Sequence, residues 1–176
     1  MNRDAFLLLV ALAMAAIAAV LDLQQHRIPN WLTYPGILLG FALRGVLLGW
    51  KGLLSAVAGF FLVGGIMFLF YLVRAMGAGD VKLMAAIGAL TGAREAGGVL
   101  LATAICGGVL AIAYALYRRR LWATVKNLGS VMKFHAWAGA QAHPELNLDN
   151  PAALRIPYGL AIALGTLYTF VAIWRR

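Results

Sequence analysis

Six stretches of the chain are nearly free of charge, at residues 5–21, 31–50, 53–73, 81–90, 96–116 and 158–174, and the polar residues gather between them. Most of these runs approach the roughly 20 residues that an α-helix needs to cross about 30 Å of hydrocarbon. The pattern predicts an all-α, polytopic integral membrane protein, a bundle of about six transmembrane helices. The fourth run is short; it must tilt little, borrow Thr91 to Ala93, or be half buried in protein. The first run is read as a span and not as a cleaved signal peptide, because it is long for one and five more runs follow. The sole long connection is residues 117–156. Within it Leu121, Val125, Leu128 and Met132 follow helical spacing while Lys126 and Lys133 share the opposite side, which predicts an interfacial helix on the membrane surface. A mobile basic loop is the competing reading. His143-Pro144 and Asp149-Asn150-Pro151 are turn signals that end any such helix. The short connections leave no room for a separate soluble domain, so residues 1–176 read as one membrane-embedded domain.

Composition supports the bilayer: 63% of residues are hydrophobic and 12% are charged, far from the usual soluble balance. A net charge of +9 raises nucleic acid as a partner, but the basic residues are scattered between apolar runs and cluster only at Arg118, Arg119 and Arg120. Anionic lipid and membrane orientation explain them better, and no nucleic-acid partner is expected. Counting loops alternately puts nine of the fifteen basic residues on one side and six on the other. The positive-inside tendency then assigns the first side, which carries Arg27, Arg74, Lys82 and Arg118, to the cytoplasm. The single cysteine, Cys106, excludes an internal disulfide and a Cys-rich zinc site.

Against this background two acidic residues stand out. Asp22 ends the first apolar run and Asp80 precedes the fourth, both on the side assigned to the cytoplasm. An ionisable group at a membrane segment is costly to keep and marks a functional site by default. Asp22 at a helix C-terminus faces the unfavourable end of the macrodipole, although a solvated interfacial residue would also fit there. Asp80 lies in Gly77-Ala78-Gly79-Asp80 at a helix start, where it would serve equally as a cap. The two glycines permit close approach that residues with a Cβ resist, as beside a bound peptide. Hydrolysis of a peptide bond without a nucleophilic side chain needs one carboxylate to activate water and one carboxylic acid to protonate the carbonyl oxygen. Two nearby aspartates achieve this by sharing a proton. The helix dipoles alone would leave the charge on Asp80 and the proton on Asp22. His26, His135 and His143 have no metal-ligand spacing, and neither Ser55 nor Ser130 sits in a nucleophile elbow. No cofactor is expected, and two carboxylates without further ligands make a poor cation site.

At this point the chain resembles the type IV prepilin peptidases, membrane aspartyl proteases with a GxGD motif. The resemblance rests on Asp22 followed by Ile28-Pro29-Asn30-Trp31-Leu32-Thr33, on Gly77-Ala78-Gly79-Asp80-Val81-Lys82-Leu83, and on Pro157-Tyr158-Gly159 before the last run. It covers nearly the whole chain. It implies that Asp22 and Asp80 remove a short basic leader from prepilin or pseudopilin substrates at the cytoplasmic face of a bacterial inner membrane. It further implies that Gly77 and Gly79 shape the active-site loop with support from Lys82, and that Pro29, Asn30, Pro157 and Gly159 position helix ends around the aspartates. Larger members carry a cysteine-rich insertion near the first aspartate and also methylate the new N-terminus. Only a short segment separates Asp22 from Asn30 here, so N-methyltransferase activity is expected to be absent. The size resembles the compact peptidases of tight-adherence (Flp) pilus systems.

Two other classes compete: a small proton- or ion-coupled transporter with carboxylates in a helix bundle, and a non-catalytic scaffold in which the glycine motif is a turn and cap. A transporter's carboxylates belong nearer mid-membrane. The sequence assigns no oligomeric state.

Overall fold

The computed structural model describes residues 3–119, 121–138, 141 and 157–174. Among these every regular element is a helix: α1 (Arg3–Gln25), α2 (Asn30–Leu72), α3 (Ala78–Tyr117), α4 (Leu121–Ala138) and α5 (Tyr158–Trp174). Helices α1, α2 and α3 are long and apolar enough to cross a membrane, and α5 is apolar but shorter. The turn signals at His143-Pro144 and Asp149-Asn150-Pro151 lie outside the described residues, as do Arg120 and Arg155.

The six expected runs are distributed over four helices, because α2 contains the second and third and α3 the fourth and fifth. At 43 and 40 residues, straight helices would measure about 60 to 65 Å, roughly twice the hydrocarbon thickness. Each instead turns at one glycine. Gly49 has φ 66° and ψ −157°, and Gly92 has φ 72° and ψ 170°, conformations that are essentially closed to residues with a Cβ. Beyond Gly49 the chain runs back along itself: the rings of Phe41 and Phe60 are 5.6 Å apart, and Arg44 reaches Ser55. Helix α3 also doubles back, since Tyr158 lies against Gly107 in its second half and within electrostatic reach of Asp80 in its first.

The first half of α3 is the centre of the molecule. Every residue from Leu83 to Gly92 is buried, whereas a helix at a surface buries only one stripe. The short fourth run is thus wrapped by protein on all sides. Small residues make this possible: a Cβ on Gly59 would stand 2.2 Å from the Gly88 carbonyl oxygen, and one on Gly40 would stand 2.9 Å from Ala89 Cβ. The surrounding core includes Met14, Ala18, Val63, Met67, Leu83, Ile87, Val99 and Ile162. Helix α4 forms where helical spacing predicts it, and among the described residues it touches only α3. Its Trp122 and Trp137 are exposed.

Breaking α3 at Gly92 frees backbone carbonyls at the end of its first half, and in a lipid-embedded chain such groups must find donors within the protein. Arg44 supplies them. Its Nε donates to Leu90 O at 2.9 Å, and its Nη2 donates to Thr91 O and, at 3.2 Å, to Asp4 Oδ1. Its Nη1 donates to Ser55 Oγ, which also accepts the Ala93 N–H at 3.2 Å. The guanidinium is enclosed, with the residue 5% exposed. This cluster ties α1, α2 and α3 together at one end of the bundle. Asp22, eighteen residues along α1 from Asp4, stands about 27 Å away at the other end.

Candidate functional site

Four segments converge at that second end. Helix α1 closes with His26, whose φ is 50° and whose N–H donates to Asp22 O at 2.8 Å. A left-handed residue here stops the helix and turns the chain toward Ile28 and Pro29. Pro29 is the N-cap of α2, with φ −74° and ψ 147°, and its carbonyl accepts the N–H groups of Leu32 and Thr33. Proline suits this position because its fixed φ is preorganised and no donor is lost. Asn30, the first residue of α2, uses Oδ1 to accept Lys82 Nζ at 2.9 Å. The same ammonium lies 4.8 Å from the centre of the Tyr34 ring. Lys82 therefore fastens the start of α3 to the start of α2.

Gly77 is the N-cap of α3, and Gly79 already lies in its first turn. The motif is thus a helix start, and the reason for glycine is space. A Cβ on Gly77 would stand 3.0 Å from Asp80 Oδ2, and one on Gly79 would stand 3.0 Å from Ile28 Cβ. Asp80, the third helical residue, keeps its carboxyl close to the backbone of Gly77. Gly77, and not Asp80, is the N-cap, and Asp80 occupies the position from which a capping-box acid reaches back.

Asp22 is 7% exposed, and its Oδ2 accepts the N–H of Gly159 at 2.9 Å. Gly159 sits in the first turn of α5, behind Pro157, whose carbonyl accepts the Leu160 N–H. A Cβ on Gly159 would stand 3.0 Å from both Asp22 Cβ and Asp22 Oδ2, so glycine is what lets α5 approach the carboxylate. The C-terminus of α1 and the N-terminus of α5 act on Asp22 in opposite senses. The resting proton therefore no longer follows from the dipole of α1 alone.

Asp22 lies near enough to Asp80 for their charges to interact. The structure thus brings together Asp22, Asp80, Gly77, Gly79 and Gly159, with Pro29, Asn30, Lys82 and Pro157 at the helix starts around them. Among the described residues no three His, Cys, Asp or Glu side chains gather as a metal site. His143 lies outside the described residues. Tyr158 joins the site as well: it lies against Gly107 and within electrostatic reach of Asp80, and its only signal in the sequence is its place inside Pro157-Tyr158-Gly159.

A membrane helical bundle with two acidic side chains at one end defines a membrane protein with a polar site at its rim. Comparison with known families makes this specific. The chain belongs to the type IV leader peptidase family, whose model matches residues 9–112, a stretch that includes both Asp22 and Asp80. It is a peptidase by that membership. No curated protein and no solved structure matches the chain.

Proposed function

We propose that this protein is an aspartyl endopeptidase that removes the short basic leader from type IV prepilin or pseudopilin substrates, with Asp22 and Asp80 as the catalytic pair. The observation that carries the reading is the placement of the two carboxyls at one end of the bundle within electrostatic reach of each other, one from the end of α1 and one from the start of α3. In this reading one carboxylate takes a proton from water, and the resulting hydroxide attacks the scissile carbonyl carbon. The partner acid protonates the carbonyl oxygen. Collapse of the tetrahedral adduct breaks the C–N bond as a proton passes to the leaving amine.

The nine-to-six distribution of basic residues supports a cytoplasmic site at a bacterial inner membrane. In this arrangement each half of α2 and α3 crosses separately, giving six crossings with α1 and α5. Residues 117–156 form a cytoplasmic loop within one domain, and α4 rests on anionic lipid. The short segment from Asp22 to Asn30 supports a compact Flp-type peptidase without N-methyltransferase activity. The rim location of both aspartates disfavours an ion-coupled transporter.

Co-expression with a candidate prepilin tests the proposal, comparing wild type with Asp22→Asn and Asp80→Asn by mobility and N-terminal mass of the pilin. Cleavage is expected to vanish in both variants at normal membrane levels. Unimpaired cleavage in either would remove that aspartate from the mechanism.

A further inference from the structure

A cleft of about 380 Å³ opens on the bundle surface between the second half of α2, the second half of α3 and the start of α5. Its walls include Phe70, Met76, Gly97, Leu100, Ala104 and Tyr158. The sequence explains the concavity: Gly97 and Ala104 are seven residues apart on one face of α3, and two small residues at that spacing leave a furrow between larger neighbours. A Cβ on Gly97 would meet nothing within 4 Å.

The cleft adjoins the aspartate site through two of its lining residues. Met76 directly precedes the Gly77-Ala78-Gly79-Asp80 motif, and Tyr158 precedes the glycine whose N–H holds Asp22. From Ala104 to Gly97 it follows about 10 Å of helix, away from the aspartates and toward the middle of the bundle. The lining carries no charged side chain, and Tyr158 supplies its one polar group.

We infer that this cleft binds an apolar stretch of the substrate adjoining the scissile bond, on the side away from the basic leader. The inference rests on the leader-peptidase reading. A basic leader finds no complementary carboxylate in the lining, whereas aliphatic and aromatic side chains lose water or lipid contact there to a matching surface. Tyr158, at the junction of cleft and aspartates, sets where the apolar segment stops and the scissile bond begins.

The test uses the full-length protein reconstituted in phosphatidylcholine vesicles. The substrate is a peptide with a basic leader and an apolar segment of about 20 residues, long enough to span the bilayer. Gly97→Leu and Ala104→Phe fill the cleft, while Gly65→Leu and Gly108→Leu place equal bulk where a Cβ also meets nothing within 4 Å, outside the cleft. The filled variants are expected to raise KM about tenfold, the effect of losing roughly one buried aliphatic side chain, with kcat retained and both controls at wild-type values. On the wild-type enzyme, serine in place of the first apolar residues after the cut site should raise KM similarly, a readout independent of variant folding. The filled variants should add little to that defect.

Filled variants that behave like the controls, with wild type and serine-substituted substrates cleaved alike, would show that the cleft holds only a lipid tail and would overturn the inference while leaving the peptidase reading intact. Failure of the wild-type protein to cleave any such substrate would instead remove the peptidase reading and the docking site together.

Discussion

Gly159→Ala isolates the contact between α5 and Asp22 with a single added carbon. That Cβ would lie 3.0 Å from Asp22 Cβ and Oδ2 and 3.4 Å from Ala18 O, so the neighbours must give by a few tenths of an ångström. The side chain in the way is short and buried, and the shift falls on the carboxyl itself. A misplacement of about 1 Å at a reacting group costs on the order of a hundredfold in rate. The smaller displacement here should lower kcat about tenfold, and overpacking should destabilise the fold by about 1 to 3 kcal/mol. Gly165→Ala provides the comparison: its Cβ would meet Thr103 N and Oγ1 at 2.5 Å, a worse clash on the same helix but remote from the aspartates. The assay is prepilin cleavage per folded molecule, with folded protein measured by thermal unfolding in detergent. Gly159→Ala should lose rate beyond its loss of stability, while Gly165→Ala should lose stability and keep its rate per folded molecule. Equal specific rates in the two variants would refute the idea that the α5 contact positions Asp22.

Other outcomes follow from contacts away from the carboxyls. Arg44→Leu leaves Leu90 O and Thr91 O without the guanidinium that donates to them and should cost about 2 to 4 kcal/mol, the penalty of two buried acceptors left unsatisfied, measurable as a fall in unfolding temperature. Arg44→Lys should not restore it, because an ammonium cannot reproduce the guanidinium's fixed fork of donors. Gly92→Ala should be far more damaging than Gly49→Ala in the same measurement. Both glycines have positive φ, but a Cβ on Gly92 would lie 2.4 Å from Arg44 Cζ while one on Gly49 meets nothing within 4 Å. Lys82→Ala and Asn30→Ala should each lower cleavage modestly, and the double variant should be no worse than either single one, since they share one bond.

The apolar runs alone locate the helices, because burial in lipid and in protein both demand long uncharged stretches. They do not reveal that Gly49 and Gly92 are pivots. The chain has twenty glycines, and most of those described serve close packing, a role that looks identical in one dimension. Asp22 and Asp80 are legible as candidates because carboxyls beside lipid are expensive. The partner that shapes Asp22 is not, since Gly159 lies 137 residues further on. Arg44 is hidden for a similar reason: inside the run 31–50 it reads as a stray charge, and its acceptor Leu90 O is 46 residues away. Contacts of that separation follow from the way the helices stack, which local patterning does not encode.

The Arg44 cluster also constrains how the chain enters the bilayer. The carbonyls of Leu90 and Thr91, at the break before Gly92, take Arg44 as a donor, and lipid offers no substitute. Residues 78–92 therefore reach a stable membrane state only when Arg44 is already poised beside them. This makes the α2 hairpin a template on which the central helix inserts, with Asp4 neutralising the cation as α1 closes over it. A chain lacking Arg44 should accumulate with its first three runs integrated and the fourth open to protease. Stability and active-site order thus share a cause: the helix that presents Asp80 at one end of the bundle is anchored by Arg44 at the other.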